Sequence, residues 1–276
     1  MNAIKRSNKI ALVLSIVLSI LFLVPLLWML LTSFKSLSES IGSSALLPKN
    51  WTMENYQSLL VNSQDAPMLR WLINTAFVTF VGTVIVVVVD TMAAYALARL
   101  RLPLKQLFLY FIIFSLTIPG IVNLFPNFFI MKKMNLIDTY IPLTLVYAAS
   151  SMGVFLIYNF LINFPIQLEE AAIIDGANNW EIFIKVVLPS IKPPIATLAV
   201  MTFLAIYNDF LWPSLVTNDI NMKTVTVGVA NLVQGSNFVN PGRMMAATVI
   251  ATVPSLLIFL YANKFFIGSN SQSGIK

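Results

Sequence analysis

Phe164-Pro165-Ile166-Gln167-Leu168-Glu169-Glu170-Ala171-Ala172-Ile173-Ile174-Asp175-Gly176-Ala177-Asn178-Asn179-Trp180-Glu181, running on through Ile182 to Leu188-Pro189, reads as two short helices joined at a glycine. Pro165 suits a first helical position, where a missing N–H is no loss. Gly176 suits the left-handed position that ends a helix. Asn178 can then cap the second helix, with Glu181 three residues later completing a variant of the capping box. Pro189 and the pair Pro193-Pro194 are expected to break that second helix.

Long apolar runs flank this stretch on both sides. Six can be read off: Ile10 to Thr32, about Trp71 to Ala98, Leu107 to about Ile130, about Tyr140 to Ile162, Pro194 to Val216, and Met244 to Asn263. A helix needs about 20 apolar residues to cross a bilayer core about 30 Å thick. Of the 276 residues 58% are hydrophobic and 10% charged, against about 25% charged in soluble domains, so an all-α integral membrane protein with six transmembrane helices is expected. The first run exceeds the roughly 7 to 15 residues of a signal-peptide core and no A-x-A site follows, so it is read as an uncleaved first helix. The whole chain, 1–276, is expected to form a single transmembrane domain, with long outer connections at about 33–70 and 217–243.

There is no cysteine and no histidine. Disulfides, thiolate or HExxH metal sites, His-based triads and imidazole relays are therefore excluded, and no catalytic or metal-binding residue is assigned. No GxxxxGK[ST] loop is found, so any ATP and magnesium are expected on another chain. The net charge of +6 is spread along loops rather than gathered on one face, which argues for membrane orientation rather than nucleic acid. With the N-terminus in the cytoplasm, ten of the 17 basic residues fall on the inner side and seven on the outer, the Lys132-Lys133 pair voting the other way.

The residues of the hairpin suit docking against another protein from the membrane surface. Ala171 and Ala172 allow close approach, Ile173, Ile174 and Phe183 supply an apolar anchor, and Glu169 and Glu170 offer charge to a basic partner. A hairpin lying on lipid headgroups is the alternative, but such a helix favours Lys and Arg, whereas residues 165–190 hold four acids and one lysine.

The spacing Glu170-Ala171-Ala172, three residues, Gly176, nine residues, Val186, one residue, Leu188-Pro189 resembles the cytoplasmic signature of permease subunits of ABC importers, with Val186 where that family has Ile. The resemblance implies a type I importer permease fold in which 165–190, Asp175 included, is a cytoplasmic coupling loop seated in an ATPase subunit. It implies a second homologous permease, two ATPase subunits and an extracytoplasmic solute-binding protein as partners. The location would be a prokaryotic inner membrane, with both termini cytoplasmic. Leu31-Thr32-Ser33-Phe34-Lys35, Ala93 to Arg99, Asp175-Gly176-Ala177 and Asn208-Asp209-Phe210-Leu211-Trp212-Pro213 resemble the six-helix subunit of maltose-type carbohydrate importers. Tyr207 departs from that pattern, standing where such chains often have tryptophan.

An ionisable group in the bilayer core costs about 2.5 to 3.5 kcal/mol on insertion scales, so Asp90 and Asp209 should face protein or water. Asp209 either accepts sugar hydroxyls, with Asn208 beside it and Trp212 as a stacking face, or ties the fifth helix to its neighbours. Asp90 is read as structural. Asn74, Asn123, Asn127 and Asn159 either line the path or join helices, and Pro119-Gly120, Pro126 and Pro213 are expected to break or kink helices. The resemblance further implies that Gln234, Gly235, Ser236 and Asn237 form a loop tip meeting the binding protein. Importers of another solute, a stand-alone channel or secondary transporter, and, last, a membrane enzyme remain as rival functions.

Overall fold

The computed structural model describes residues 2–61, 65–234 and 240–270. The helices run α1 (Asn2–Ser33), α2 (Leu37–Gly42), α3 (Glu54–Leu60), α4 (Met68–Arg99), α5 (Lys105–Ser115), α6 (Leu124–Lys133), α7 (Tyr140–Leu145) and α8 (Ser151–Ile162). They continue with α9 (Gln167–Ile174), α10 (Asn179–Ile182), α11 (Leu188–Ser190), α12 (Lys192–Tyr207), α13 (Leu211–Val216), α14 (Val225–Gln234) and α15 (Pro241–Asn270). Three of them, α1, α4 and α15, are long and apolar enough to cross a bilayer unaided, and counting each of three bent helix pairs as one crossing gives six. The chain forms two compact units, Met1–Leu69 with Gly228–Pro254, and Arg70–Val227 with Ser255–Lys276.

In the first unit α1 exposes its apolar side chains all round from Ala11 onward. Its serine hydroxyls are satisfied on the helix itself, Ser15 by the carbonyl of Ala11 at 2.7 Å and Ser19 by that of Ser15 at 2.7 Å. Between Ala11 and Leu30 no side-chain hydroxyl is left for lipid to solvate. The stretch that follows folds back on the helix end. Phe34 lies 5.5 Å from the Trp51 ring and 5.3 Å from that of Tyr56, whose hydroxyl meets Ser33 Oγ at 2.7 Å. Buried Asn55 donates to the carbonyls of Ser33 and Lys35 at 2.9 and 2.8 Å. Lys35 is itself buried and donates to the Ala45 carbonyl, so Leu31 to Lys35 is a folded corner. Arg243 grips both oxygens of Asp65 at 2.7 and 2.9 Å, and this bond holds the Asp65 carboxyl below its usual range.

In the second unit three of the expected crossings are interrupted. The third crossing is two helices, α5 and the segment Gly120–Lys133, bent by 96°; Pro119-Gly120 marks the bend, as read from the sequence. The fourth is interrupted between Leu145 and Ser151, and the fifth between Tyr207 and Leu211. Neither of these two breaks falls at a proline or glycine. Each is held by a side chain from elsewhere: Ser150, the cap of α8, takes Asp90 Oδ1 on its N–H at 3.0 Å and receives Gly153 N–H on its own hydroxyl at 3.3 Å. Asp90 is wholly buried within protein, in keeping with a structural role.

Gly153 is what lets α8 approach α4, because a Cβ built there would overlap the Asp90 carboxylate and come within 2.9 Å of Leu198 Cδ1. Gly153→Ala should destabilise the protein by roughly 1 to 3 kcal/mol, the usual cost of overpacking, whereas Gly42→Ala, with open space around its Cβ, should be neutral. Thermal unfolding of the detergent-purified protein, followed by tryptophan fluorescence, checks this; equal midpoints for the two variants would contradict it.

Candidate functional site

The stretch 164–190 is a helix–turn–helix. Pro165 lies ahead of the N-cap Ile166 rather than at the first helical position, so its ring restrains the approach to α9. Gly176 has φ +86°. Its N–H reaches the Ile173 carbonyl at 3.0 Å and that of Ala177 the Ala172 carbonyl at 2.9 Å, the two bonds of a Schellman ending. Asn178 Oδ1 then accepts from the N–H groups of Trp180 and Glu181, both at 3.0 Å, and Glu181 returns a carboxylate oxygen to Asn178 N–H at 3.1 Å. The expected capping box is complete. Together with the Lys185 ammonium 2.9 Å away, it holds the Glu181 carboxyl below its ordinary range.

Pro189 does not break the second helix. The backbone widens to π geometry over Phe183–Val187 immediately ahead of it, making room for a ring that would otherwise meet the carbonyl four residues back. The helix continues to Ser190, and the chain turns at buried Ile191 by 77° into α12.

The motif residues divide between two faces. Ile182, Phe183, Val187 and Ile191 join Tyr95, Leu97, Ile157 and Leu161 in one core, against which Ala172, Val186 and Leu188 also pack. Glu170, Ala171, Asp175, Gly176 and Pro189 are exposed, as are Ile173, Ile174 and Trp180, with Ile174 at 86% exposure. Two expectations are corrected here. Glu169 is not offered to a partner, because it is buried against Arg99 at 2.6 Å; Phe183 is not an outward anchor but a core residue whose ring lies tilted against that of Tyr95. Arg99 and Tyr95 went unassigned in the sequence although both stand in the stretch Ala93 to Arg99.

Around the second break, Asp209 Oδ2 accepts the Tyr147 hydroxyl at 2.5 Å, Oδ1 faces Trp212 N–H at 3.4 Å, and the Asp209 carbonyl accepts Thr226 Oγ1 at 2.8 Å. Tyr147 lies in the break before α8, so one hydrogen bond joins the interruptions of the fourth and fifth crossings. No sequence signal singled Tyr147 out. Trp212 is not an open stacking face: it is 3% exposed and donates Nε1 to the Pro142 carbonyl at 2.9 Å. Asn208 is exposed and donates to the Leu204 carbonyl at 2.8 Å. Asn74 is a buried strut, donating to the carbonyls of Asn221 and Lys223 at 2.7 and 3.0 Å and accepting from Tyr140 at 2.7 Å. Its amide is saturated, whereas Asn123 is exposed at the end of a short 3-10 turn. Gln234 ends α14, and Gly235, Ser236 and Asn237 lie outside the described residues. Among the described residues no group of His, Cys, Asp or Glu could hold a metal ion.

Residues 90–267 match the family described as binding-protein-dependent transport system inner membrane component. The diacetylchitobiose uptake system permease protein NgcG of Streptomyces coelicolor is 33% identical over 97% of this chain and 89% of its own length. The sn-glycerol-3-phosphate transport system permease protein UgpE of Salmonella choleraesuis is 32% identical over 80% of each chain. A chain of a bacterial ABC transporter involved in import of the acidic polysaccharide alginate shares the fold, with a TM-score of 0.80 and 22% identity over 95% of this chain and 98% of that one. An all-α, multi-pass chain of this fold, matched over most of its length by transport permeases, belongs to the family of binding-protein-dependent transport system inner membrane components.

Proposed function

We propose that this chain is a permease subunit of an ATP-driven importer for a sugar or oligosaccharide, and that residues 165–190 couple it to ATPase subunits. The observation that carries this reading is the hairpin. Its inward face is fixed by the core and by Arg99, while Glu170, Ile173 and Ile174 are left exposed on the outside. An apolar face beside the outward acids Glu170 and Asp175 suits a cleft with a basic rim. In this reading the hairpin and both termini are cytoplasmic, ATP and magnesium are bound by the partner ATPase subunits, and this chain performs no chemistry. A second homologous permease completes the path, and an extracytoplasmic binding protein delivers the solute, with Gln234 to Asn237 on the side that receives it.

The sugar assignment draws on relatives whose names specify diacetylchitobiose and alginate. The solute path runs past Asn208 and Asp209, with Asn123 as a further lining group.

Gly176 has open space around it, so a side chain there acts through the backbone, where the left-handed conformation costs roughly 1 to 2 kcal/mol. Gly176→Val should weaken attachment of the ATPase subunits or uncouple hydrolysis from transport. Glu170→Lys should do the same by reversing the offered charge, whereas a hairpin lying on anionic headgroups would gain from the added lysine. Co-purification of the ATPase subunits, with uptake in parallel, decides; parental values of both in both variants would overturn the coupling reading.

Asp209→Asn keeps an acceptor for the Tyr147 hydroxyl while removing the charge, so the folded complex should persist at parental abundance. Uptake of labelled diacetylchitobiose by the complete system should nevertheless fall. Parental uptake in this variant would take Asp209 out of the solute path. A complete system that takes up labelled sn-glycerol 3-phosphate but not diacetylchitobiose would replace the sugar with an anionic polyol.

A further inference from the structure

The hairpin is joined covalently to α8 through residues 163–166 and to α12 through Ile191, yet much of its buried face is held by α4. Arg99, the last residue of α4, donates Nε to Glu169 at 2.6 Å and Nη2 to the Phe164 carbonyl at 2.8 Å. The two side chains are 11% and 8% exposed. Tyr95, one turn earlier, donates its hydroxyl to the Asn179 carbonyl at 3.4 Å, and its ring centre lies 4.8 Å from that of Phe183. The end of α4 therefore touches the turn leading into the hairpin, its first helix and its second helix.

These attachments differ in how they answer a pull. The covalent ones are a turn at Asn163 to Ile166 and a corner at Ile191, and the hairpin's contact with α8 is apolar packing on Ile157 and Leu161, which is non-directional. Separating Arg99 from Glu169 instead strands a charge in a desolvated site, which is strongly resisted, and the planar guanidinium holds two acceptors at fixed angles. Adjacent Glu169 and Glu170 thus point to opposite tasks, one facing inward and one outward.

We propose that the Arg99–Glu169 pair is the positioning link through which the hairpin and the adjoining end of α4 move as one body when the ATPase subunits change state. This rests on the coupling reading above. Force applied at the exposed face enters α4 directly, and with it the helix that carries Asp90 and holds the start of α8, rather than passing only along the chain into α8 and α12.

The chain contains no cysteine, so spin labels can be placed on it without replacing any native thiol of its own, before assembly with cysteine-free partner subunits. Arg101→Cys, just beyond α4, and Lys185→Cys, on the exposed side of the second hairpin helix, report the distance between the two bodies in the intact complex with its ATPase subunits. In this parent the distance should be the same in the nucleotide-free state and after trapping with ATP and vanadate. Glu169→Gln, nearly isosteric, should make the distance shift on trapping while the ATPase subunits stay bound. Arg99→Lys, which keeps the charge but cannot span both acceptors, should give a smaller shift in the same direction. A shift in the parent, or an unshifted distance in both variants, overturns the link and leaves the coupling reading standing. A parent chain that retains no ATPase subunits overturns the coupling reading, and this inference falls with it.

Discussion

Hydrocarbon offers no hydrogen bonds, so each backbone group at membrane depth must find its partner inside the protein. The architecture follows from how each break in a helix meets that demand. Helix α4 meets it with an unbroken ladder, and α1 with a ladder that lacks only the rung at Pro25. The interrupted crossings meet it with borrowed groups: Asp90 supplies an acceptor to the start of α8, Asp209 faces the start of α13, and Trp212 donates to a carbonyl of α7. Polar side chains in this chain are placed largely where the backbone stops serving itself. Asp90 and Asp209 are affordable within the bilayer because they sit at such places rather than against lipid.

The hairpin is governed by the same rule with a different solution. It is capped entirely from within, by the left-handed glycine at one helix end and the reciprocal Asn178–Glu181 bonds at the next. Its turn and caps therefore need no group from another element, and its outer face is free to carry residues chosen for a partner. Its inner face has the opposite character, with aromatic and aliphatic side chains interlocked with α4 and α8 and one buried ion pair among them. A surface that must be gripped from outside is thereby backed by one that resists slipping.

What could be read in the sequence was local. Gly176, Asn178 and Glu181 lie within six residues of one another, and the chemistry of turns and caps fixes their roles without reference to the rest of the chain. The apolar runs gave the number of crossings for a similar reason, since length alone decides whether a helix can span. The breaks before Ser151 and after Tyr207 could not be read, because no proline or glycine stands there and their stabilising partners lie 60 and 62 residues away. Glu169 was misjudged on the same account: beside Glu170 it reads as half of an exposed acidic pair, and only the arrival of Arg99 from 70 residues earlier turns it inward. Trp212 and Asn74 have the residue types of a sugar site, but distant carbonyls already claim their hydrogen bonds.

The strut at Asn74 also bears on the order in which the molecule can be made. The hydroxyls of Ser15 and Ser19 in the lipid-exposed part of α1 are satisfied within the helix, so this part can enter the bilayer as soon as it leaves the ribosome. α4 follows soon after in the chain, but the Asn74 amide near its beginning finds its acceptor at Asn221, 147 residues later, and Trp71 donates to Ile220 across 149. Until that distant segment has been synthesised, these donors must be kept wet or held by something else. Biogenesis of this protein therefore has a built-in waiting period, during which as many as five crossings are made while the beginning of α4 is unfinished; its last polar contacts close only when the chain beyond α13 arrives.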